Sequence, residues 1–241
     1  MVAGWLHADL LLRSPSSHQV PAREEHHMNK LYEKPVLAFD YDGVLADTEP
    51  LHWRSWREII SPFAIELSWE QYCRHCRGVA ETRMREVLIA LHPDAANMPD
   101  LSPYLSARKR KVREWSLESP PISSQTIDLL QSLGAWRAAL VTSAERSDIE
   151  PVLLRAQVLG CFEVLVFGDS VSKPKPAPDP YLAVAARMKT NAGIAFEDSE
   201  SGMASARSAG FHVVQIANPD DLPGAVARTI RDLDQLRIDH R

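Results

Sequence analysis

Four short apolar runs in this chain end the same way, on residues that can do chemistry. Val36-Leu37-Ala38-Phe39 breaks into Asp40-Tyr41-Asp42-Gly43, and Ala138-Ala139-Leu140-Val141 into Thr142-Ser143. Val164-Leu165-Val166-Phe167 breaks into Gly168-Asp169, and Ile194-Ala195-Phe196 into Glu197-Asp198. A fifth run, Val213-Val214-Gln215-Ile216, follows Gly210. Short apolar runs bounded by loop residues read as buried strands. Helical patterns lie between them, at 125–133, 147–157, 179–188 and 201–209. Strands alternating with helices pair in parallel and are covered on both faces, so the expected fold is α/β around a parallel sheet. Ligands of such open sheets bind beyond the carboxyl ends of the strands, where the four polar breaks fall.

One segment interrupts the alternation. Residues 48–116 read as helical at 49–60, 69–76, 80–91 and 102–116, with no convincing strand. The expected organisation is therefore a catalytic core at 34–47 and 117–241 with a small all-helical cap at 48–116, inserted after the first strand and placed to act as a lid. Residues 1–33 are polar after an opening apolar stretch, carry no sustained period and read as a flexible N-terminal arm. The stretch at 221–236 reads as a final helix.

Composition narrows the function classes. With 45% hydrophobic and 24% charged residues the chain is an ordinary globular protein. Its net charge of −5 argues against a coat for nucleic acid or anionic membrane. No apolar run approaches the ~18 residues of a membrane span. The three cysteines make no disulfide framework, and a reducing cytoplasm is the expected setting.

By itself Asp40-x-Asp42-Gly43 is weak, because Asp and Gly are common in loops. Its weight comes from three further groups in fixed order along the chain: Thr142 after the second strand, Lys175 in the proline-stiffened run Lys173-Pro-Lys-Pro-Ala-Pro-Asp179, and Glu197-Asp198 after a later strand. Together FDYDGVLADTEPLHWRSW, LVTSA, KPKPAPDPYL and FEDSESGMASARSAG resemble the haloacid dehalogenase-like superfamily, and more narrowly its phosphatase and beta-phosphoglucomutase branch with a helical cap. The resemblance spans about residues 35–217. It implies a Rossmann-like core and Mg2+-dependent phosphoryl transfer through an aspartyl-phosphate.

Carried over residue by residue, the resemblance makes Asp40 the nucleophile and Asp42 the acid and base. Thr142, Ser143 and Lys175 become the holders of the phosphoryl oxygens. Of the two lysines, Lys175 precedes Pro-Ala-Pro-Asp and is preferred over Lys173. Mg2+ favours carboxylate and carbonyl oxygens, which points to Asp40, the main-chain carbonyl of Asp42, and Asp198, with Glu197 direct or through water. The second carboxylate, Asp42, points to phosphate esters. The expected partner is a small phosphorylated metabolite, a sugar or polyol phosphate, with no nucleic acid and no membrane.

Within the cap the resemblance puts Thr48 at a hinge, His52 near the leaving group and Lys109 against the substrate. It also sets Glu81 where a mutase needs a phosphate-binding arginine, which favours hydrolysis over a mutase's internal transfer. The basic run Ser106–Arg113 otherwise reads as a solvated helix. Cys73-x-x-Cys76 lacks the second pair of a zinc site, and Asp179 is expected to cap the following helix.

Overall fold

A computed structural model describes residues 35–191 and 193–239. The arm expected at 1–33 lies outside the described residues. Five strands, β1 (Val36–Phe39), β2 (Ala138–Val141), β3 (Val164–Val166), β4 (Gly193–Glu197) and β5 (His212–Gln215), form one sheet in the order β3-β2-β1-β4-β5. Every neighbouring pair is parallel. The period of two along the strands explains the double cover. Leu37, Phe39, Leu140 and Phe196 join one buried cluster, whereas Val36, Ala38, Val141 and Ala195 join another across the sheet. Phe39 and Phe196, partners in register on β1 and β4, stack with ring centroids 5.0 Å apart.

After β1, between residues 48 and 118, the chain forms four helices: α1 (Glu49–Ile60), α2 (Trp69–His75), α3 (Met84–Leu91) and α4 (Leu105–Glu118). Their buried side chains, among them Trp56, Ile60, Tyr72, Met84 and Leu88, make a third cluster. The helix expected over 80–91 begins later, because Glu81–Arg83 tighten into a 3-10 turn. The remaining helices are α5 (Ser124–Ser132), α6 (Arg146–Arg155), α7 (Asp179–Met188), α8 (Glu200–Ser208) and α9 (Leu222–Asp239). Residues of α5, α6 and α9 fill the first cluster and residues of α7 and α8 the second, one set for each face of the sheet. Ser199 caps α8 through the Gly202 N–H at 3.1 Å. Asp179 does not play that part for α7: Pro178 occupies the cap position and no side chain bonds there, so the expected cap is corrected to a first-turn acid that favours the helix dipole.

Among the described residues no helix is long and apolar enough to cross a membrane.

Candidate active site

The sheet order puts β1 between β2 and β4, so the chain leaves β1 in one direction and later returns on its other side. Carboxyl ends diverge at such a switch point and leave a crevice. Asp40, Thr142, Glu197 and Asp198 sit there because each ends a neighbouring parallel strand or comes directly after one. The turn after Asp40 is tight: the Tyr41 carbonyl accepts from the Leu45 and Ala46 N–H groups at 3.0 and 2.9 Å. Gly43 adopts φ +73°, and a Cβ there would lie 2.2 Å from Asp198 Oδ2. Glycine is therefore needed both for the turn and for the approach of Asp198.

Lys175 ties the crevice together. Its Nζ donates to Asp40 Oδ1 at 2.9 Å, to Glu197 Oε1 at 2.6 Å and to the Val141 carbonyl at 3.0 Å, which uses all three ammonium protons. Burial pulls the Lys175 pKa down, but the charges of Asp40 and Glu197 outweigh it and hold the group above its ordinary value. Of the two lysines in the proline run, Lys175 is the one in the crevice. Tyr181 on α7 also donates to Glu197 Oε1. Nothing in the sequence marked that tyrosine.

Asp40, Glu197 and Asp198 each offer an oxygen, all within 4.8 Å of one another. Three carboxylates around one ammonium leave an excess of negative charge when all are ionised. The carboxyl groups respond by keeping protons: burial first, then the charge of Asp40, raises Glu197 and pushes Asp198 up to about 6. Glu197 Oε2 is buried without a hydrogen-bond partner. It lies over Gly202, where a Cβ would come within 1.9 Å. Hard oxygen donors, a charge deficit and an orphaned carboxylate oxygen are what a divalent cation satisfies, so the residues present fit a metal.

Asp42 stands apart from this cluster. It accepts from Thr48 Oγ1 at 2.6 Å. Thr48 holds the N-cap position of α1 but gives its hydroxyl to Asp42 instead of capping. Burial pushes the Asp42 carboxyl up to about 6, against the Thr48 hydrogen bond and helped by the charges of Asp40, Asp198 and Glu49. Thr142 is buried and its Oγ1 accepts from the Ala144 N–H at 3.0 Å, shaping the turn that carries Ser143.

A cleft of about 240 Å3 opens beside Asp42, lined on the sheet side by Tyr41 and Ser143 and on the helical side by Thr48, His52, Glu81, Arg108 and Lys109. It is smaller than the ~300–1,000 Å3 of drug-sized ligand sites, and so suits a small metabolite. Thr48, His52 and Lys109, singled out in the sequence, all reach it. Arg108 was not singled out. It is 5% exposed, whereas its neighbours Lys109, Arg110 and Lys111 are exposed. Its guanidinium lies over the Trp56 ring at 4.6 Å, and its amines donate to Ser55 Oγ at 2.9 Å, to His52 Nδ1 at 3.3 Å and to Glu81 Oε1. The spacing Leu105, Arg108, Val112, Ser116 on one helical face was the available signal. Glu81, which stands where a mutase needs an arginine, is thus paired with Arg108 and lies 3.7 Å from Lys109. Two arginines close to Glu81 in sequence are held elsewhere: Arg77 by Glu49 at 3.3 Å and Asp198 at 3.6 Å, and exposed Arg83 by Glu86. Cys73 is exposed and Cys76 buried, and both thiols are free.

Fold and site together define an α/β protein with carboxylates gathered at the carboxyl edge of its parallel sheet. The chain belongs to the haloacid dehalogenase-like hydrolases, whose family profile matches residues 37–216. It is 30% identical over 195 residues to the fructose-1-phosphate phosphatase of Escherichia coli, covering 77% of this chain and 98% of that one. It is 27% identical over 214 residues to the beta-phosphoglucomutase of Bacillus subtilis, covering 82% of this chain and 91% of the other. Among solved structures, a subfamily IA hydrolase from Geobacter sulfurreducens superposes with a TM-score of 0.61 at 23% identity, covering 75% of this chain and 86% of that one, and shares the fold.

Proposed function

We propose that this chain is a Mg2+-dependent phosphatase that hydrolyses a small sugar or polyol phosphate through a phosphorylated Asp40. The observation that carries the reading is the pairing of two differently held carboxyl groups: Asp40, fixed by Lys175 inside the acidic cluster, and Asp42, kept protonated up to about 6 at the edge of the cleft. Similarity to the Escherichia coli phosphatase supports it and supplies the sugar phosphate class.

In this reading an Asp40 oxygen attacks phosphorus, and the bond from phosphorus to the sugar oxygen breaks. Asp42 gives its proton to the departing oxygen. Water then attacks the aspartyl-phosphate, Asp42 takes the proton back, and phosphate leaves with Asp40 restored. Lys175, Thr142 and the Ser143 loop hold the phosphoryl oxygens. Mg2+ would be held by Asp40, Asp198, the Asp42 carbonyl and the free oxygen of Glu197, and supplies positive charge where two anions must meet. The four helices of 48–116 serve as the cap, with Thr48 at the joint between cap and core.

Phosphate release from a panel of phosphorylated sugars tests the reading. Activity should fall to background in excess chelator and return with added Mg2+, since ligand carboxylates facing one another cannot approach a phosphate unneutralised. Full turnover in chelator would remove the metal from the reaction. For an ester with a poor leaving group, kcat/KM should decline as pH rises past about 6, where Asp42 loses its proton. Asp42→Asn should lower kcat by about 10²–10⁴-fold and erase that decline. A retained decline would assign it to another group.

Transfer of the phosphoryl group to a second sugar hydroxyl is the alternative, favoured by the likeness to the Bacillus subtilis mutase. A mutase must hold a bisphosphate while it turns, and the buried cation of the cleft, Arg108, is already engaged by Glu81, Ser55 and His52. Following glucose 6-phosphate and free phosphate separately, from beta-glucose 1-phosphate with a trace of bisphosphate, separates the two. Near-stoichiometric glucose 6-phosphate would establish the mutase.

A further inference from the structure

The helical side of the cleft carries a charge arrangement that the phosphoryl chemistry does not use. Arg108 has two terminal amines, and both are committed: one to Ser55 and His52, the other to Glu81. Its Nε is buried without a partner, and Trp56 covers the guanidinium plane. No fork remains for bidentate capture of an anion. Lys109 lies 3.7 Å from the other Glu81 oxygen but is 57% exposed, so water screens it. Because an arginine can only donate, His52 accepts on Nδ1 and is neutral with its proton on Nε2. Burial and the Arg108 charge, which lower its pKa, favour that state.

This side therefore presents a carboxylate that accepts and an imidazole that donates, with no uncommitted buried cation. A hydroxyl both donates and accepts, and so suits such a surface. A second phosphate has acceptors and about −1.5 to −2 charges, and would meet Glu81 directly.

We propose that Glu81 is a specificity-determining residue: by occupying Arg108 and presenting its own charge, it reserves the distal end of the cleft for an uncharged, hydroxylated group. The chain then takes sugar or polyol monophosphates and turns away bisphosphates. This rests on the phosphatase reading and names which members of that substrate class fit.

Inhibition of p-nitrophenyl phosphate hydrolysis tests it, because a ligand need not turn over to be read. The probes are matched pairs, fructose 1-phosphate with fructose 1,6-bisphosphate and glucose 1-phosphate with glucose 1,6-bisphosphate. Natural protein should bind each bisphosphate about tenfold or more weaker than its monophosphate, the scale of a like-charge contact. Glu81→Gln keeps an oxygen for Arg108 but removes the charge, and should move that ratio about tenfold or more toward the bisphosphate. Glu81→Asp keeps the charge and should keep the natural order, which guards against a change that merely loosens α4. An unmoved ratio in Glu81→Gln, or equal losses for both ligands, overturns the proposal, since a purely structural pair would weaken both alike. Absence of p-nitrophenyl phosphate turnover with Mg2+ overturns the phosphatase reading and the inference with it. Turnover with an unmoved ratio overturns the inference alone.

Discussion

Asp40→Asn should lower phosphate release by about 10⁴–10⁶-fold, the scale of losing a covalent nucleophile, while leaving the protein at least as stable as before. The loss comes from chemistry: an amide oxygen is a poor nucleophile toward phosphorus and cannot form the aspartyl-phosphate. The stability comes from the crevice. The amide oxygen can still accept from Lys175, and one negative charge disappears from a cluster in which Asp40 raises both Glu197 and Asp198. In the metal-free protein near pH 7, therefore, the melting temperature should hold or rise. Such opposition of function and stability is expected where like charges are gathered for catalysis. The measurements are turnover with Mg2+, thermal melting without it, and transfer of labelled phosphate to the chain. More than about a hundredth of the natural turnover would mean that water attacks the substrate directly and that Asp40 acts only on the metal.

Much of the crevice was legible in the sequence because its parts sit at strand ends. Once 36–39, 138–141 and 194–196 are read as parallel strands, Asp40, Thr142 and Glu197-Asp198 must emerge at the same edge. The order β3-β2-β1-β4-β5 was not legible, since five apolar runs of similar make carry no label saying which neighbours which. The helical side was legible only in part. In Ser106–Arg113 successive residues turn by about 100° around the axis, so one of several adjacent cations must face inward. Docking of α4 against α1 selects Arg108, through Trp56, Ser55 and His52. Those partners lie more than fifty residues away, and local pattern could not weigh them. A separation of 27 residues likewise hid the pairing of Glu81, whose charge had meaning only once Arg108 was beside it.

Lys175→Met should cost both catalysis and stability, and the stability loss should depend on pH. Lys175 is buried against Asp40 and Glu197, with its side chain 4% exposed. Removing one partner of a buried pair typically costs about 3–5 kcal/mol, because the other charge is left uncompensated. At about 2–4 °C per kcal/mol for a chain of this size, the metal-free protein should melt roughly 6–20 °C lower near pH 8. Lys175 has a raised folded pKa, so its stabilising effect is fully present below the ordinary lysine value and is lost only in alkali. Across pH 5–8 the natural protein therefore keeps it throughout. In the variant Asp198, already pushed up to about 6 by burial and Asp40, loses one of the two cations that hold it down. The folded variant then keeps that proton to higher pH than the natural protein does, so above about 6 it binds more protons relative to its unfolded chain and its stability falls further as pH rises. The gap in melting temperature between the two proteins should widen from pH 5 to pH 8. An equal gap at both pH values would show that lost packing, not lost charge, is responsible. Added Mg2+ should raise the melting temperature of the variant more than that of the natural protein, because cation and ammonium answer the same excess of negative charge. Turnover should still fall by about 10²–10³-fold with the metal bound, the scale of losing one preorganised donor, since a cation at the carboxylates does not replace the hydrogen bonds by which Lys175 holds Asp40 and Glu197 in place.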